Sequence, residues 1–414
     1  MLGDGTKLAT TTHKTAPAAR LLDLTRLVSR VGRPMTGIDR VEWAYLNHLT
    51  DESTPVFALI RTTYGYILLE RGGMLALRAR ISGAEPWGSI DTLSRLVRTK
   101  PDSVRRAESD VRRLALDRCR PRRLPDMLHR HLPGGTAYLN IGHTNLTDRV
   151  LSAVRHSING RVAVFVHDTI PLDFPQFQRE GSVDRFRAFL RQAGAWADLI
   201  IYNSACSAER AEHWLSMWGN PPQGIVAHLG VEVPELADVP EGIVPTQPYF
   251  VTVGTIEPRK KHALLLDIWD GFSDGAPHLM ICGSRGWNNQ DVFSRLDKAA
   301  DNHRISEVAP LTDGQVATVL SGSLGLLFPS LAEGYGLPPI EAAALGVPVL
   351  CNDLPVYRET LGDIPVYAEA SDRYLWETKI RNLAEIPKPK KTNMANAFDP
   401  PDWKTHFNTV LRLT

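Results

Sequence analysis

The sequence predicts an α/β protein made of two Rossmann-like, doubly wound domains that face each other across a cleft. Three observations carry this. Short β-rich runs alternate with helix-period segments along the chain. The segment Arg161–His167 (R-V-A-V-F-V-H) holds a continuous apolar run, as in a parallel strand buried on both faces. A proline-rich stretch, Val233–Pro248 with Pro234, Pro240, Pro245 and Pro248, interrupts the alternation and reads as an interdomain linker, after which the pattern restarts.

In chain order, Leu21–Leu27 reads as a first strand. The loop Pro34-Met35-Thr36-Gly37 leads into a helix with Ile38, Val41, Tyr45 and Leu49 on one face. Strands follow at Val56–Ile60, Gly65–Leu69, Thr136–Ile141, Arg161–His167, Asp198–Tyr202 and Gly224–His228, with helices at Val183–Ala197 and Ser207–Trp218. Beyond the linker, strands are expected at Tyr249–Val253, His278–Cys282, Arg304–Val308, Gly325–Phe328 and Val347–Cys351. The intervening helices are Lys261–Trp269, Asp291–Ala299, Gly314–Leu320 and Pro339–Leu345. Pro401–Leu413 closes the chain as a helix. The expected units are residues 1–240, 241–398 and 399–414, the last packing back toward the first, with residues 1–20 a disordered lead-in. Ligands of such sheets bind at the carboxyl ends of the strands.

Composition excludes several classes. The 414 residues are 43% apolar and 22% charged with formal net charge +1, so bulk nucleic-acid binding is not expected. No apolar run approaches the roughly 18–20 residues of a membrane span, and the N-terminal segment lacks the apolar core of a secretory signal. Cys119, Cys206, Cys282 and Cys351 are far apart, which suits reduced thiols in the cytoplasm and no metal site. Residues 98–130 hold eleven Lys/Arg against five Asp/Glu. Two readings fit: attraction to an anionic inner-membrane surface or a phosphate-bearing acceptor, or a solvated helical insertion with ordinary ion pairs.

Two segments carry chemistry. In Phe328–Ala342 (F-P-S-L-A-E-G-Y-G-L-P-P-I-E-A), a buried strand runs into a glycine loop and then a helix. Gly334 and Gly336 let backbone N–H groups approach an anion, and the helix start adds positive potential, which makes a diphosphate cradle. Glu341 reads either as a bidentate acceptor for paired sugar hydroxyls or as ordinary acidic charge at a helix N-terminus. In Tyr249–His262, a strand ends before Gly254 and Thr255, and Arg259, Lys260 and Lys261 fall at a helix start. Cations there oppose the helix dipole, so either an external anion or solvent accounts for them. His167, at a strand end before Asp168, reads as a ligand contact or as a hydrogen-bonded structural histidine.

The strings G-T-I-E-P-R-K and E-G-Y-G-L-P-P-I-E-A resemble glycosyltransferase family 4, the large retaining group with the GT-B fold, and within it bacterial enzymes of polysaccharide and surface-glycan assembly. Thr36–Val41, His167–Leu172, Tyr202–Ser204 and Gly283–Trp287 resemble further segments of the same family. Lys261 and Tyr335 depart from its usual Asn and Phe.

The resemblance implies a nucleotide-diphospho-sugar donor held by the second half and a glycan or lipid-linked acceptor held by the first. A hexose, mannose-like, would be moved with retention and without a metal ion or cofactor. Arg259 and Lys260 would grip the diphosphate. Glu341 would hold the ribose, Glu333 and His167 would meet the donor sugar, and Gly336 and Leu337 would give backbone contacts. Gly37 would approach the phosphates, and residues near Val308–Leu311 would meet the base; Gly254, Thr255, Leu311 and Tyr335 complete the expected nucleotide-sugar site. The absence of any D-x-D triplet agrees with cationic side chains in place of a divalent ion. The competing class is a non-catalytic nucleotide- or carbohydrate-binding partner of an assembly complex.

Overall fold

The computed structural model describes residues 16–272, 275–299, 304–308, 311–386 and 398–414. Eight strands form the first sheet: β1 (Arg20–Asp23), β2 (Val56–Thr62), β3 (Gly65–Glu70), β4 (Asp117–Cys119), β5 (Ala137–Asn140), β6 (Arg161–Val166), β7 (Leu199–Tyr202) and β8 (Gly224–Val226). Their order is β4-β3-β2-β1-β5-β6-β7-β8. All neighbours pair in parallel except β2 with β3 and β3 with β4. The second sheet holds β9 (Tyr249–Val253), β10 (His278–Cys282), β11 (Ile305–Val308), β12 (Leu326–Phe328), β13 (Val349–Cys351) and β14 (Val366–Tyr367) in the order β11-β10-β9-β12-β13-β14. This is the doubly wound order in which connections reverse between the first and fourth strands, leaving a crevice between the carboxyl ends of β9 and β12. The corresponding reversal in the first sheet lies between β1 and β5.

The two doubly wound halves are thus present, and several boundaries move. The first strand stops at Asp23, because Asp23 Oδ1 accepts the Thr25 N–H and starts the helix Thr25–Ser29. Ala19 and Arg20 are buried, and Arg20 pairs with Glu52, so the expected disordered lead-in does not extend that far; residues 1–15 lie outside the described residues. Pro258–Lys260 forms a separate 3-10 turn, and the helix begins only at His262, so the three cations precede it. The helix after β12 opens at Leu337, two residues earlier than expected, because Gly336 takes φ +85° and Pro338 suits a first turn. Glu341 therefore lies in the second turn, which weakens the simple helix-dipole reading of it. Residues 98–130 form the helix Asp102–Arg113, strand β4 and the helix Leu124–His131. Many of their cations are paired internally: Lys100 with Glu108, Arg105 with Asp102, Arg112 with Asp91, Arg113 with Asp110 and Arg130 with Asp117.

The halves touch at several points. Glu359, on the helix Pro355–Leu361, accepts the N–H groups of Ala205 (2.7 Å) and Cys206 (3.2 Å) and the His228 Nε2–H (2.9 Å). It thereby satisfies the open N-terminus of the helix Ala205–Ser216 from across the boundary. The closing helix Trp403–Val410 lies on the first half. There His406 Nε2 accepts from Tyr45 Oη at 2.9 Å, its Nδ1–H donates to the His228 carbonyl at 3.0 Å, and Phe407 stacks on His48. The chain consequently passes between the halves twice.

Candidate active site

A cavity of about 710 Å³ separates the two halves at the carboxyl ends of their strands. The first half contributes the loop before the helix Gly37–Asp51 and the residues just after β6. The second contributes the turns after β9 and β10 and the loop after β12. One left-handed glycine and one close backbone approach shape this wall. Gly254 has φ +130°, and a Cβ at Gly283 would sit 2.0 Å from the Gly254 carbonyl oxygen, so the turns after β9 and β10 nest only without side chains.

Arg259, Lys260 and Glu333 come together at the mouth of that crevice. One carboxylate oxygen, Glu333 Oε1, accepts from Arg259 Nη1, Lys260 Nζ (each 2.6 Å) and Ser330 Oγ (2.5 Å). Arg259 also donates to the Ala332 carbonyl through Nη1 and to Glu257 Oε1 (2.6 Å) through Nη2. Lys260 Nζ lies 4.2 Å from the centre of the Phe328 ring. Burial penalises the Glu333 charge, but Arg259, Lys260 and the hydrogen bonds outweigh it and hold its carboxyl near pKa 2. Burial likewise works against Arg259, and Glu333, Glu257 and Asp168 more than reverse it, raising its pKa. For Lys260, burial with Arg259 alongside prevails over Glu333, and its pKa falls. The result is two fixed positive groups facing the cavity, paired with carboxylates rather than standing free.

The other expected residues divide. Gly37, Gly254, Thr255, Leu311, Tyr335, Gly336, Leu337, Glu341 and His167 all line the cavity. Gly37 faces Leu337 across it: a Cβ there would lie 3.5 Å from Leu337 Cδ1. The Tyr335 side chain is committed elsewhere, its hydroxyl donating to the Leu229 carbonyl at 3.0 Å. Glu341 is buried and pairs at 2.5 Å with Arg40 of the opposite half. The His167 ring donates from Nε2 to the Ile141 carbonyl at 2.9 Å and stacks on Phe165, and burial lowers its pKa to about 3. It is therefore a neutral imidazole, and its hydrogen-bonded structural role is real. Lys261 is off the cavity wall. Residues 309–310, expected near a base, lie outside the described residues.

Sequence reasoning missed Arg40, Glu257 and Asp168 as members of the site. All three had a local signal, since they sit inside segments already singled out, T-G-I-D-R-V, G-T-I-E-P-R-K and H-D-T-I-P-L. What the sequence does not mark is the pairing of Arg40 with Glu341, and the facing of Asp168 and Arg259, across the halves.

The two halves also meet at Gly334. Its carbonyl accepts from Ser204 Oγ (3.1 Å) and Ser207 Oγ (3.0 Å). A Cβ at Gly334 would fall 2.5 Å from the His167 carbonyl oxygen and 2.8 Å from Asp168 Cβ. Gly334→Ala is expected to force the halves apart, seen as a larger radius of gyration by small-angle scattering with little loss of secondary structure. An unchanged scattering profile would mean that this contact does not set the closed form.

Residues 235–396 match the family described as "Glycosyl transferases group 1". The chain is 33% identical over 221 residues to the serotype-specific mannosyltransferase WbdA of Escherichia coli, a match covering 48% of this chain and 27% of that one. It is 30% identical over 147 residues to the O-antigen chain mannosyltransferase RfbU of Salmonella typhimurium strain LT2, covering 34% of this chain and 39% of the relative. The chain thus spans about a quarter of WbdA's length and well under half of RfbU's. Among solved structures, Anabaena Alr3699/HepE in complex with UDP-glucose superposes with a TM-score of 0.59 at 14% identity, covering 88% of this chain and 90% of that one. A likeness of that extent shows the fold, the two-domain GT-B architecture.

Proposed function

We propose that this chain is a glycosyltransferase that moves a mannose-like hexose, with retention, from a nucleotide-diphospho-sugar to a glycan or lipid-linked acceptor during surface-polysaccharide assembly. The observation that carries the reading is the Arg259–Lys260 pair, fixed by Glu333 at the switch point of the second sheet and facing the cavity. The match to glycosyl transferases over the same half, and the mannosyltransferase names of the relatives, support it.

In this reading the donor diphosphate meets Arg259 and Lys260 and the backbone around Gly336, and negative charge that grows on the departing phosphate is offset by groups already in place. The acceptor hydroxyl attacks from the face the diphosphate leaves, and a phosphate oxygen takes its proton. Water is excluded by the closed cleft, which aligns the acceptor with the anomeric carbon. No resident cofactor or metal ion is required. The ribose hydroxyls bind Glu341, taking the place Arg40 holds in the empty cleft. Membership of glycosyltransferase family 4, action in the cytoplasm, and contact with an anionic inner-membrane surface through exposed Arg118, Arg120 and Arg122 belong to the same proposal. No described helix is long and apolar enough to cross a membrane.

The test is a thermal-shift and nucleotide-release screen with GDP-, UDP- and dTDP-sugars, since a ligand bound only by the native state raises its melting temperature. Stabilisation by one nucleotide class, with release of its diphosphate in the presence of a mannosidic acceptor, is expected. No stabilisation by any of them would refute the reading. Glu341→Ala is expected to weaken binding of the stabilising nucleotide about tenfold or more, as measured by calorimetry, because the ribose loses a charge-assisted acceptor. Unchanged affinity would remove Glu341 from the ribose role.

A further inference from the structure

The geometry points to Asp168 as a further catalytic carboxylate, one that faces the transferring sugar and offsets the positive charge developing on its ring as the diphosphate departs. This rests on the transferase reading above.

Asp168 immediately follows β6 and lines the cavity from the first half, whereas Arg259 and Lys260 line it from the second. A sugar whose phosphate is gripped by those cations would lie between the two walls. One oxygen of Asp168 is anchored: Oδ1 accepts the Ile170 N–H at 3.0 Å, which fixes the carboxylate plane. The other, Oδ2, accepts no hydrogen bond from any described residue. The glycine at 334 leaves it room, since even a Cβ there would come within 3.3 Å of that oxygen.

The remaining carboxylates that line the cleft are engaged or distant. Glu333 and Glu257 hold Arg259, Glu341 holds Arg40, and Asp313 is largely exposed. His167 is neutral and hydrogen-bonded to a backbone carbonyl, so it brings no charge. Asp168, half-buried, is thus the acid of the cavity wall with an oxygen left over.

Three charged groups act on it: Arg259 from the turn after β9, Glu333 from the loop after β12, and Asp173 from the short helix Ile170–Asp173. Asp173 is itself satisfied by Thr169 Oγ1 and Trp214 Nε1. Burial, with Arg259 opposing and Glu333 and Asp173 assisting, pushes the Asp168 pKa up to about 6. The group is ionised at neutral pH and titrates within the working range of an enzyme.

The step balances without a bond to Asp168. The bond from the anomeric carbon to the phosphate oxygen breaks, its electron pair leaving with the diphosphate. The acceptor oxygen bonds to the same carbon, and its proton passes to the departing phosphate. Asp168 contributes charge only.

The test uses the full chain with GDP-mannose and a mannobiose acceptor. Asp168→Asn, nearly isosteric, is expected to lower kcat about 100-fold while the KM for GDP-mannose and the affinity for GDP change less than about threefold. The wild-type rate should fall as pH drops through about 6, and that limb should vanish in the variant. Asp168→Glu should recover part of the rate. A binding measurement stands apart from turnover: deoxymannojirimycin, a protonated iminosugar, should bind the GDP-saturated wild type at least about tenfold more tightly than the variant. Equal iminosugar affinity, or a variant kcat within threefold of wild type, would overturn the proposal. A wild type that releases no GDP from GDP-mannose would instead count against the transferase reading with that donor, and the iminosugar comparison would still decide the role of the carboxylate.

Discussion

Arg259→Ala is expected to lower sugar transfer about 100- to 1000-fold, the usual cost of removing one preorganised group that stabilises developing charge. Arg259 is half-buried beside the cavity and bridges Glu257, Ala332 and Glu333, which hold its guanidinium in place before a diphosphate arrives. That rigidity lets it act on the transition state without reorganisation. The variant also leaves Glu257 with a lost partner, so part of the change could come from the fold. Arg259→Lys separates the two effects: it keeps a charge but loses the planar fork, and its rate should fall between those of wild type and alanine. Steady-state kcat/KM, with circular dichroism to confirm the fold, is the measurement. A well-folded Arg259→Ala enzyme at wild-type rate would remove the phosphate-gripping role.

Glu333→Ala is expected to destabilise the nucleotide-free protein by about 3 kcal/mol, because it leaves the half-buried Arg259 and Lys260 without the oxygen they share. Saturating nucleoside diphosphate should restore part of that loss, since its phosphate supplies negative charge at the same place. The pH dependence has a definite sign. The Glu333 carboxyl is held near 2 in the folded state against a usual 4.5, so its contribution is fully present above 4.5 and disappears as pH falls toward 2. Urea unfolding from pH 6 to pH 2 should therefore show a shallower loss of stability for the variant than for wild type. Coincident curves would mean that Glu333 does not neutralise the two cations.

Much of the fold was legible because its strands are buried on both faces and read as continuous apolar runs; Tyr249–Val253 and His278–Cys282 have the boundaries expected from sequence. Local geometry shifted two other elements. Asp23 turns the chain at a point where Leu24 and Leu27 still look like strand, and a left-handed Gly336 starts a helix that Pro338 and Pro339 appear to delay. The residues of the site were legible as motif members, since glycines, cations and acids near strand ends have few other uses there. Their pairings were not. Glu341 with Arg40 and Glu359 with Ala205 join positions separated by more than a hundred residues on opposite sheets, and nothing local to either partner marks the other. His167 shows the converse: its place beside the cavity could be read from its strand end, whereas its bond to the Ile141 carbonyl depends on how β5 and β6 align.

The closing helix belongs to the first half although the chain reaches it after the second: Tyr45 and His48 hold it there, and the His228 carbonyl accepts the His406 Nδ1–H. Any displacement of one half against the other therefore carries this helix with the first half, and a truncation before Trp403 would uncover Tyr45 and the His48 ring on that half alone.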